Sequence, residues 1–396
     1  MEFLPSTFRR REGGFLYNLF NWDYLQIISL VFLAGAGLIF IRSIGEQIGS
    51  AAAEQFFVKQ TQWLCAGALL WLAAAFVNVK SRLFFIGSIL FYIVTVVLLA
   101  AVLFVGLRIY GATRWLSFAG FRLQPSELAK PALALMLGVV FSKVSVNSWK
   151  GFFAGVAALA VPFLLILKEP DLGSASILIP LYVAIVFVSK LRWKYLLVSL
   201  FAVLLIGGAA IANEAMKIKP VLKDYQRDRI LVFLNPERDR LHRGYNAHQA
   251  LLAVGSGGFN GKGIGEGTQN RLGFLPHTVS NNDFIFSVIA EETGFVGSMF
   301  LLTGYLLLLV SVLRTAFLTD DQLSRSFAVG TATVLFCHVF INVGMSIGIT
   351  PVTGLPLPMV SYGGSSLLAV MASLGLVQSI YRNRPLEKRT FNANIR

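Results

Sequence analysis

Asp283 opens the run Asp-Phe-Ile-Phe-Ser-Val-Ile-Ala-Glu-Glu (residues 283–292), an apolar segment of helical character. A carboxylate at the mouth of such a segment could act as a general base, because desolvation raises its pKa toward the working range. Aspartate is also a preferred helix N-cap, and spacing alone favours that reading. Glu291 would lie about 80° round and about 12 Å along the helix from Asp283, with Glu292 on the opposite face, so neither forms a carboxylate dyad with it. Glu127 and Lys130, at i and i+3, can pair across one helical turn as a structural ion pair. They follow Gln124-Pro125, where a proline suits a helix start. Arg114-Trp115 reads as an interfacial tryptophan beside a headgroup-contacting arginine.

Residues 255–269 read Gly-Ser-Gly-Gly-Phe-Asn-Gly-Lys-Gly-Ile-Gly-Glu-Gly-Thr-Gln. A Walker loop would need Gly at 256 and Ser or Thr at 263, where the chain has Ser256 and Gly263. The run therefore reads as a flexible turn, although backbone amides beside Lys262 could hold a pyrophosphate. Cys65 and Cys337 lie in apolar runs, and His242, His248, His277 and His338 follow no zinc-ligand spacing. These six read as structural thiols and solitary imidazoles.

The elements that must carry these residues are set by composition. Of 396 residues, 56% are apolar and only 14% charged, whereas a soluble domain is about a quarter charged. That balance excludes a soluble single-core protein of this length, a disordered chain and a disulfide scaffold. Apolar runs of about twenty residues, enough to cross ~30 Å of hydrocarbon as helices, recur along the chain. Ten are predicted, at roughly 24–41, 57–77, 83–107, 128–141, 151–167, 172–189, 195–212, 294–313, 327–347 and 367–381, which makes an all-α polytopic membrane protein. The organisation expected is an N-terminal segment 1–23, one membrane domain 24–381 with a long loop at 213–293, and a tail 382–396. Arg9-Arg10-Arg11 precede the first span with no small-residue cleavage site after it, so that span is expected to be retained.

The net charge of +14 suggests nucleic acid only until it is mapped. Lys and Arg crowd the loops on the side holding both termini, whereas the opposite short loops hold only Arg42, Lys59, Arg108, Arg114, Arg122 and Lys168. The positive-inside rule puts both termini in the cytoplasm and the long loop outside. Basic residues placed this way fix topology and call for no nucleic-acid partner. The spans hold almost no ionisable groups beyond Lys130, which argues against an ion-coupled transporter. From Ser326 to Tyr381 there is no Asp, Glu, Lys or Arg, yet Pro351, Pro356 and Pro358 preclude a regular helix through residues 350–366. Non-helical backbone at membrane depth must be buried in protein or face a wet cavity, so the stretch reads either as an ordinary apolar loop or as a partly re-entrant segment beside a lipid substrate.

Taken in order, several segments resemble the SEDS family (shape, elongation, division and sporulation proteins). They are Gly111-Ala112-Thr113-Arg114-Trp115-Leu116, Gln124-Pro125-Ser126-Glu127 with Lys130, and Pro170-Asp171-Leu172-Gly173. Tyr225-Gln226 with Arg229-Ile230, Asn235-Pro236-Glu237, Gly244-Tyr245-Asn246, Gly267-Thr268-Gln269, the Asp283–Glu292 run and Leu355–Ser366 complete the set. Asn-Pro-Glu, Gly-Thr-Gln and Thr-Pro-Val-Thr-Gly are more similar to the rod-shape RodA branch than to the division branch, FtsW. One departure is local: the family commonly reads His-Thr-Asp before the Phe, whereas here His277-Thr278 is separated from Asp283 by Val279-Ser280-Asn281-Asn282.

The resemblance implies a peptidoglycan glycosyltransferase that polymerises lipid II outside the cytoplasmic membrane and releases undecaprenyl pyrophosphate. It maps the family's essential acid onto Asp283, displacing the N-cap reading. Glycosidases use two carboxylates because an alkoxide must be protonated as it leaves. Pyrophosphate leaves as a stable anion, so one base suffices. Arg114, Lys130, Arg229 and Lys262 are the cations expected to face the departing pyrophosphate, with Trp115, Glu127 and Gln269 completing the substrate-binding set. No cofactor is required by the sequence; a divalent cation, Mg or Mn, could share the charge. Expected partners are lipid II, undecaprenyl-linked glycan, a class B penicillin-binding protein, the elongation machinery and membrane lipid. The alternatives are a lipid-linked precursor flippase, which needs a polar path through the bilayer, and a non-catalytic scaffold for a transpeptidase, which would not need Asp283.

Overall fold

The computed structural model describes residues 21–49, 51–109, 112–118, 121–145, 147–189 and 244–385, with isolated positions between 195 and 233. Runs of Leu, Ile, Val and Phe form the long helices α1 (Tyr24–Ile48), α2 (Ala51–Ala75), α3 (Arg82–Val105), α4 (Pro125–Lys143), α5 (Trp149–Lys168) and α6 (Leu172–Val188). After α7 (Tyr245–Ser256) and the single turns α8 (Thr268–Arg271) and α9 (His277–Ser280) come α10 (Ile285–Leu318), α11 (Gln322–Ser346) and α12 (Gly364–Arg382). Asp23, Ser81, Ser148, Asp171 and Asp321 cap the N-termini of α1, α3, α5, α6 and α11 by accepting backbone N–H bonds. Pro125 stands at the start of α4, as its missing N–H allows.

The predicted seventh span and Arg229 lie outside the described residues; each other predicted span falls on one of these helices. Among the described residues, α1, α3, α5, α10, α11 and α12 are long and apolar enough to cross a membrane. By contrast, α6 has 17 residues, and α4 carries the buried Glu127 and Lys130. Leu83, Phe104, Phe187 and Phe317 point outward, as expected of helices solvated by hydrocarbon.

Side-chain bonds gather the helix ends into two tiers. At one, Ser311 Oγ donates to Asp23 Oδ2 (2.9 Å), Arg382 to Ala75 O (3.0 Å) and Gln322 to Ser189 Oγ (2.7 Å). At the other, Ser43 Oγ donates to Glu292 (2.8 Å), Gln60 to Ser361 O (3.2 Å) and Ser365 to Arg122 O (2.7 Å). The second tier also holds a three-stranded antiparallel sheet, β1 (Leu107–Ile109), β2 (Ala112–Phe118) and β3 (Phe121–Leu123), in the order β1-β2-β3. Arg114-Trp115 therefore sits in a strand, with Trp115 opposite Leu107.

Residues 350–363 run without regular secondary structure through the middle of this tier, with Leu355, Leu357, Met359 and Val360 buried. A Cβ added at Gly37 of α1 would stand 2.7 Å from Met359 O; bare glycine lets the helix backbone lie directly against this segment. The expectation of non-helical backbone enclosed in protein is met.

The apolar run read as starting at 294 begins as helix at Ile285 and bends at Gly294 (φ 66, ψ −161). The bend frees backbone groups that the glycine run covers. Lys262 N and Gly263 N donate to Glu291 O (3.0 Å) and Glu292 O (2.9 Å), while Phe295 N and Val296 N donate to Gly258 O (2.9 Å) and Phe259 O (3.1 Å). At Gly261, with φ +79, a Cβ would fall 2.2 Å from Glu292 O. The run is a clasp on the bend, and its glycines are there for close approach and left-handed backbone, not for phosphate.

Candidate functional site

Asp283 is two residues upstream of α10, whose N-cap is Phe284 with no side-chain cap bond. Its half-buried carboxylate instead borders Gly354, where an added Cβ would lie 3.3 Å from Asp283 Oδ2. The backbone around it is tied to the buried segment at four points. Tyr362 N donates to Asn281 O (2.9 Å), Ser361 Oγ to Asn282 O (2.6 Å), and Asn342 Nδ2 to both Asp283 O and Leu355 O (2.8 Å each). The Ser361 hydroxyl also accepts from Leu357 N (2.8 Å). The backbone that carries the carboxylate is thus anchored by main chain, by Asn342 of α11 and by Ser361 of the buried segment.

Arg114 lies at the start of α6, which packs on the same segment. Thr353 O and Leu355 Cγ each stand 3.1 Å from where a Cβ on Gly173 would be, so the first turn of α6 packs against the same segment. Asp171, the cap of that turn, accepts from Ser174 N, Gln124 Nε2 and Ser126 Oγ, all at 3.2 Å. Arg114 donates to Pro170 O and stands 3.8 Å from Asp171 Oδ1. Burial pushes the Asp171 carboxyl up, but Arg114 and the hydrogen bonds from Ser174 outweigh it, and the net shift is downward. Trp115, next along β2, is half-buried, its side chain on the opposite face of the strand by alternation.

Glu169, one residue before Pro170, is fully buried, and neither carboxyl oxygen has a hydrogen-bond partner among the described residues. Burial first, and Asp171 second, push its carboxyl up to about 8 against a smaller pull from Arg114. A raised carboxyl is neutral in the folded protein and ionises on unfolding, so its stabilising contribution is complete below about 4.5 and lost as pH rises through about 8. Glu169→Gln is therefore expected to melt above the parent protein beyond pH 8, with the two converging toward the acid end. Melting curves of both proteins across that range check this; parallel pH profiles would refute it.

Lys130 Nζ lies 2.6 Å from Glu127 Oε1, both side chains almost fully buried. It also stands 2.9 Å from His338 Nε2, while His338 Nδ1 lies 2.9 Å from Pro356 O. His338 is therefore no solitary imidazole; it joins the Glu127–Lys130 pair to the same buried segment. Lys262 and Gln269 gather elsewhere. Lys262 Nζ donates to Glu291 Oε1 (2.6 Å), Ser256 Oγ (2.8 Å) and Thr268 Oγ1 (2.7 Å). The Glu291 carboxylate further accepts from Thr268 N (2.9 Å) and Gln269 N (3.2 Å). The amides of Lys262 and Gly263 hold main-chain carbonyls, and those of Thr268 and Gln269 hold an internal carboxylate. Glu292 turns to Ser43 and Gln47, so neither glutamate pairs with Asp283, in keeping with their angular positions.

The segment 350–363 thus brings Asp283, Arg114, Glu127 and Lys130 to its flanks and leaves Lys262 and Gln269 on Glu291. Asn342 and His338 carry part of this arrangement, and sequence reasoning missed them. Their signal was spacing: two polar side chains at i and i+4 in a stretch without any formal charge. Among the described residues no group of three or more His, Cys, Asp or Glu side chains could hold a metal ion.

A family model for the FtsW/RodA/SpoVE group, described as a cell cycle protein, matches residues 23–385. The chain belongs to the SEDS family. The peptidoglycan glycosyltransferase MrdB of Escherichia coli (strain K12) is 36% identical to this SEDS chain over 377 residues, covering 92% of it and 96% of MrdB. A solved structure titled "Structural coordination of polymerization and crosslinking by a peptidoglycan synthase complex" matches with a TM-score of 0.74 at 34% identity, covering 92% of this chain and 98% of that one. The rod shape determining protein RodA of Thermus thermophilus matches at 0.67 and 30% identity, covering 92% and 98%. Like other SEDS members, the chain is a polytopic, helical membrane protein.

Proposed function

We propose that this chain is a peptidoglycan glycosyltransferase that polymerises lipid II into glycan strands for cell elongation and rod shape. The observation that carries the reading is the half-buried Asp283 carboxylate beside Gly354, its backbone carbonyl held by Asn342, with the Arg114 cation at the start of α6, a helix that packs on residues 353 and 355. Near-complete coverage of MrdB supports it. Asp283 accepts the proton of the acceptor sugar hydroxyl as that oxygen attacks the donor's anomeric carbon. The bond from that carbon to the pyrophosphate oxygen breaks, and the electron pair leaves with undecaprenyl pyrophosphate. Arg114 is the side chain best placed to offset the growing negative charge. Lys262, Trp115 and Gln269 belong to the proposed substrate-binding set, as does Arg229, which lies outside the described residues. A divalent ion, if one takes part, arrives on the substrate's phosphates, which is how Mg is commonly held.

The site faces outward and both termini face the cytoplasm on this reading. The distribution of Lys and Arg supports it. The expected partner is a class B penicillin-binding protein within the elongation machinery, in keeping with a relative whose structure is described as joining polymerization to crosslinking.

Purified protein given fluorescent lipid II is expected to build glycan ladders without any other enzyme. Vesicles in which it moves lipid II across the bilayer and forms no polymer would favour a flippase. Lack of both activities, with growth insensitive to loss of Asp283, would favour a scaffold.

A further inference from the structure

The Glu127–Lys130 pair lies beneath the segment that carries Gly354. An ammonium only donates, so His338 Nε2, 2.9 Å from Lys130 Nζ, must accept. That places the ring proton on Nδ1, which donates to Pro356 O at 2.9 Å. One helical turn along α11, Asn342 Nδ2 donates to Leu355 O and to Asp283 O, each at 2.8 Å. Consecutive carbonyls of a buried strand-less segment are thus pinned by side chains, where no ladder or helix supplies partners. Gly354, the neighbour of the Asp283 carboxylate, immediately precedes them.

We propose that Glu127, Lys130 and His338 form a positioning relay that fixes the segment against which the Asp283 base sits. The proposal rests on reading Asp283 as the base of the transferase, and it reassigns Glu127 and Lys130 from substrate contact to positioning. Glu127 neutralises Lys130, Lys130 sets the His338 tautomer, and His338 holds Pro356. The pair's burial agrees with this: side-chain exposures are 4% for Glu127 and 2% for Lys130. The void beside them measures about 20 Å³, room for about one water and far too small for a pyrophosphate or a sugar.

Turnover of lipid II by purified variants tests the relay. His338→Phe keeps ring size and loses both bonds; kcat is expected to fall about 10- to 100-fold with KM unchanged. His338→Gln, whose amide offers one acceptor and one donor, is expected to recover most of the rate. The paired change Glu127→Gln/Lys130→Met avoids leaving an uncompensated buried charge. It should lower kcat alike and add nothing when combined with His338→Phe. Wild-type kcat in folded His338→Phe would overturn the relay. So would a raised KM in the paired variant with losses that multiply, as a direct pyrophosphate contact predicts. Should His338→Phe fail to fold, the KM-against-kcat split of the paired variant decides. Asp283→Asn run in parallel separates the two readings: an active Asp283→Asn sinks the base assignment, whereas an inactive one beside a fully active His338→Phe sinks the relay alone.

Discussion

Asp283→Asn is expected to lower glycan polymerisation by about 10²–10⁴-fold, the usual contribution of a positioned general base. The change keeps shape and removes the proton acceptor. It should leave the fold intact, because Asn342, Ser361 and Tyr362 hold backbone carbonyls of residues 281–283 and the helix cap is Phe284. The measurement is ladder formation from lipid II by purified protein, with a melting curve taken on the same sample. A folded variant that polymerises at the parent rate would remove Asp283 from the chemistry. A scaffold predicts that same indifference, so one experiment separates enzyme from scaffold.

The second large effect is expected at Gly354. Its φ of +76 lies in the left-handed region, where a side chain costs about 1–2 kcal/mol per residue. An added Cβ would also stand 3.3 Å from Asp283 Oδ2, so the base or the segment must give way. Gly354→Ala, which asks the neighbour to give by only a fraction of an ångström, is expected to reduce kcat about 10-fold, below the loss set by a full ångström of misplacement, and Gly354→Val to reduce it further. Because the strain is local, the melting temperature should drop only slightly. Activity near that of the parent protein in Gly354→Ala would show that the carboxylate does not depend on this wall.

Much of the frame was legible from hydrophobic run length, because a bilayer demands helices of nearly fixed extent. Legibility failed where partners were distant in sequence. Asp283 read as an N-cap from local spacing; the family resemblance displaced that reading, and the contacts with residues 342 and 354 that set it apart are distant in sequence. The glycine run read as a turn, since nothing within it announces a bend at Gly294 some thirty residues on. Arg114-Trp115 read as an interfacial loop because the strands around it are only three to seven residues long. His338 looked solitary because its partners, Lys130 and Pro356, come from another helix and from an irregular segment. Lys262 attracted a phosphate reading for the reason it is useful to Glu291: amides and an ammonium converge on one anionic position.

A broken helix ordinarily flexes at the break. In α10 the break is splinted from outside, with hydrogen bonds from the glycine run landing on both sides of Gly294. The glycine run is therefore an external brace that joins the two halves of α10 into one stiffer body, where the glycine alone would leave a hinge.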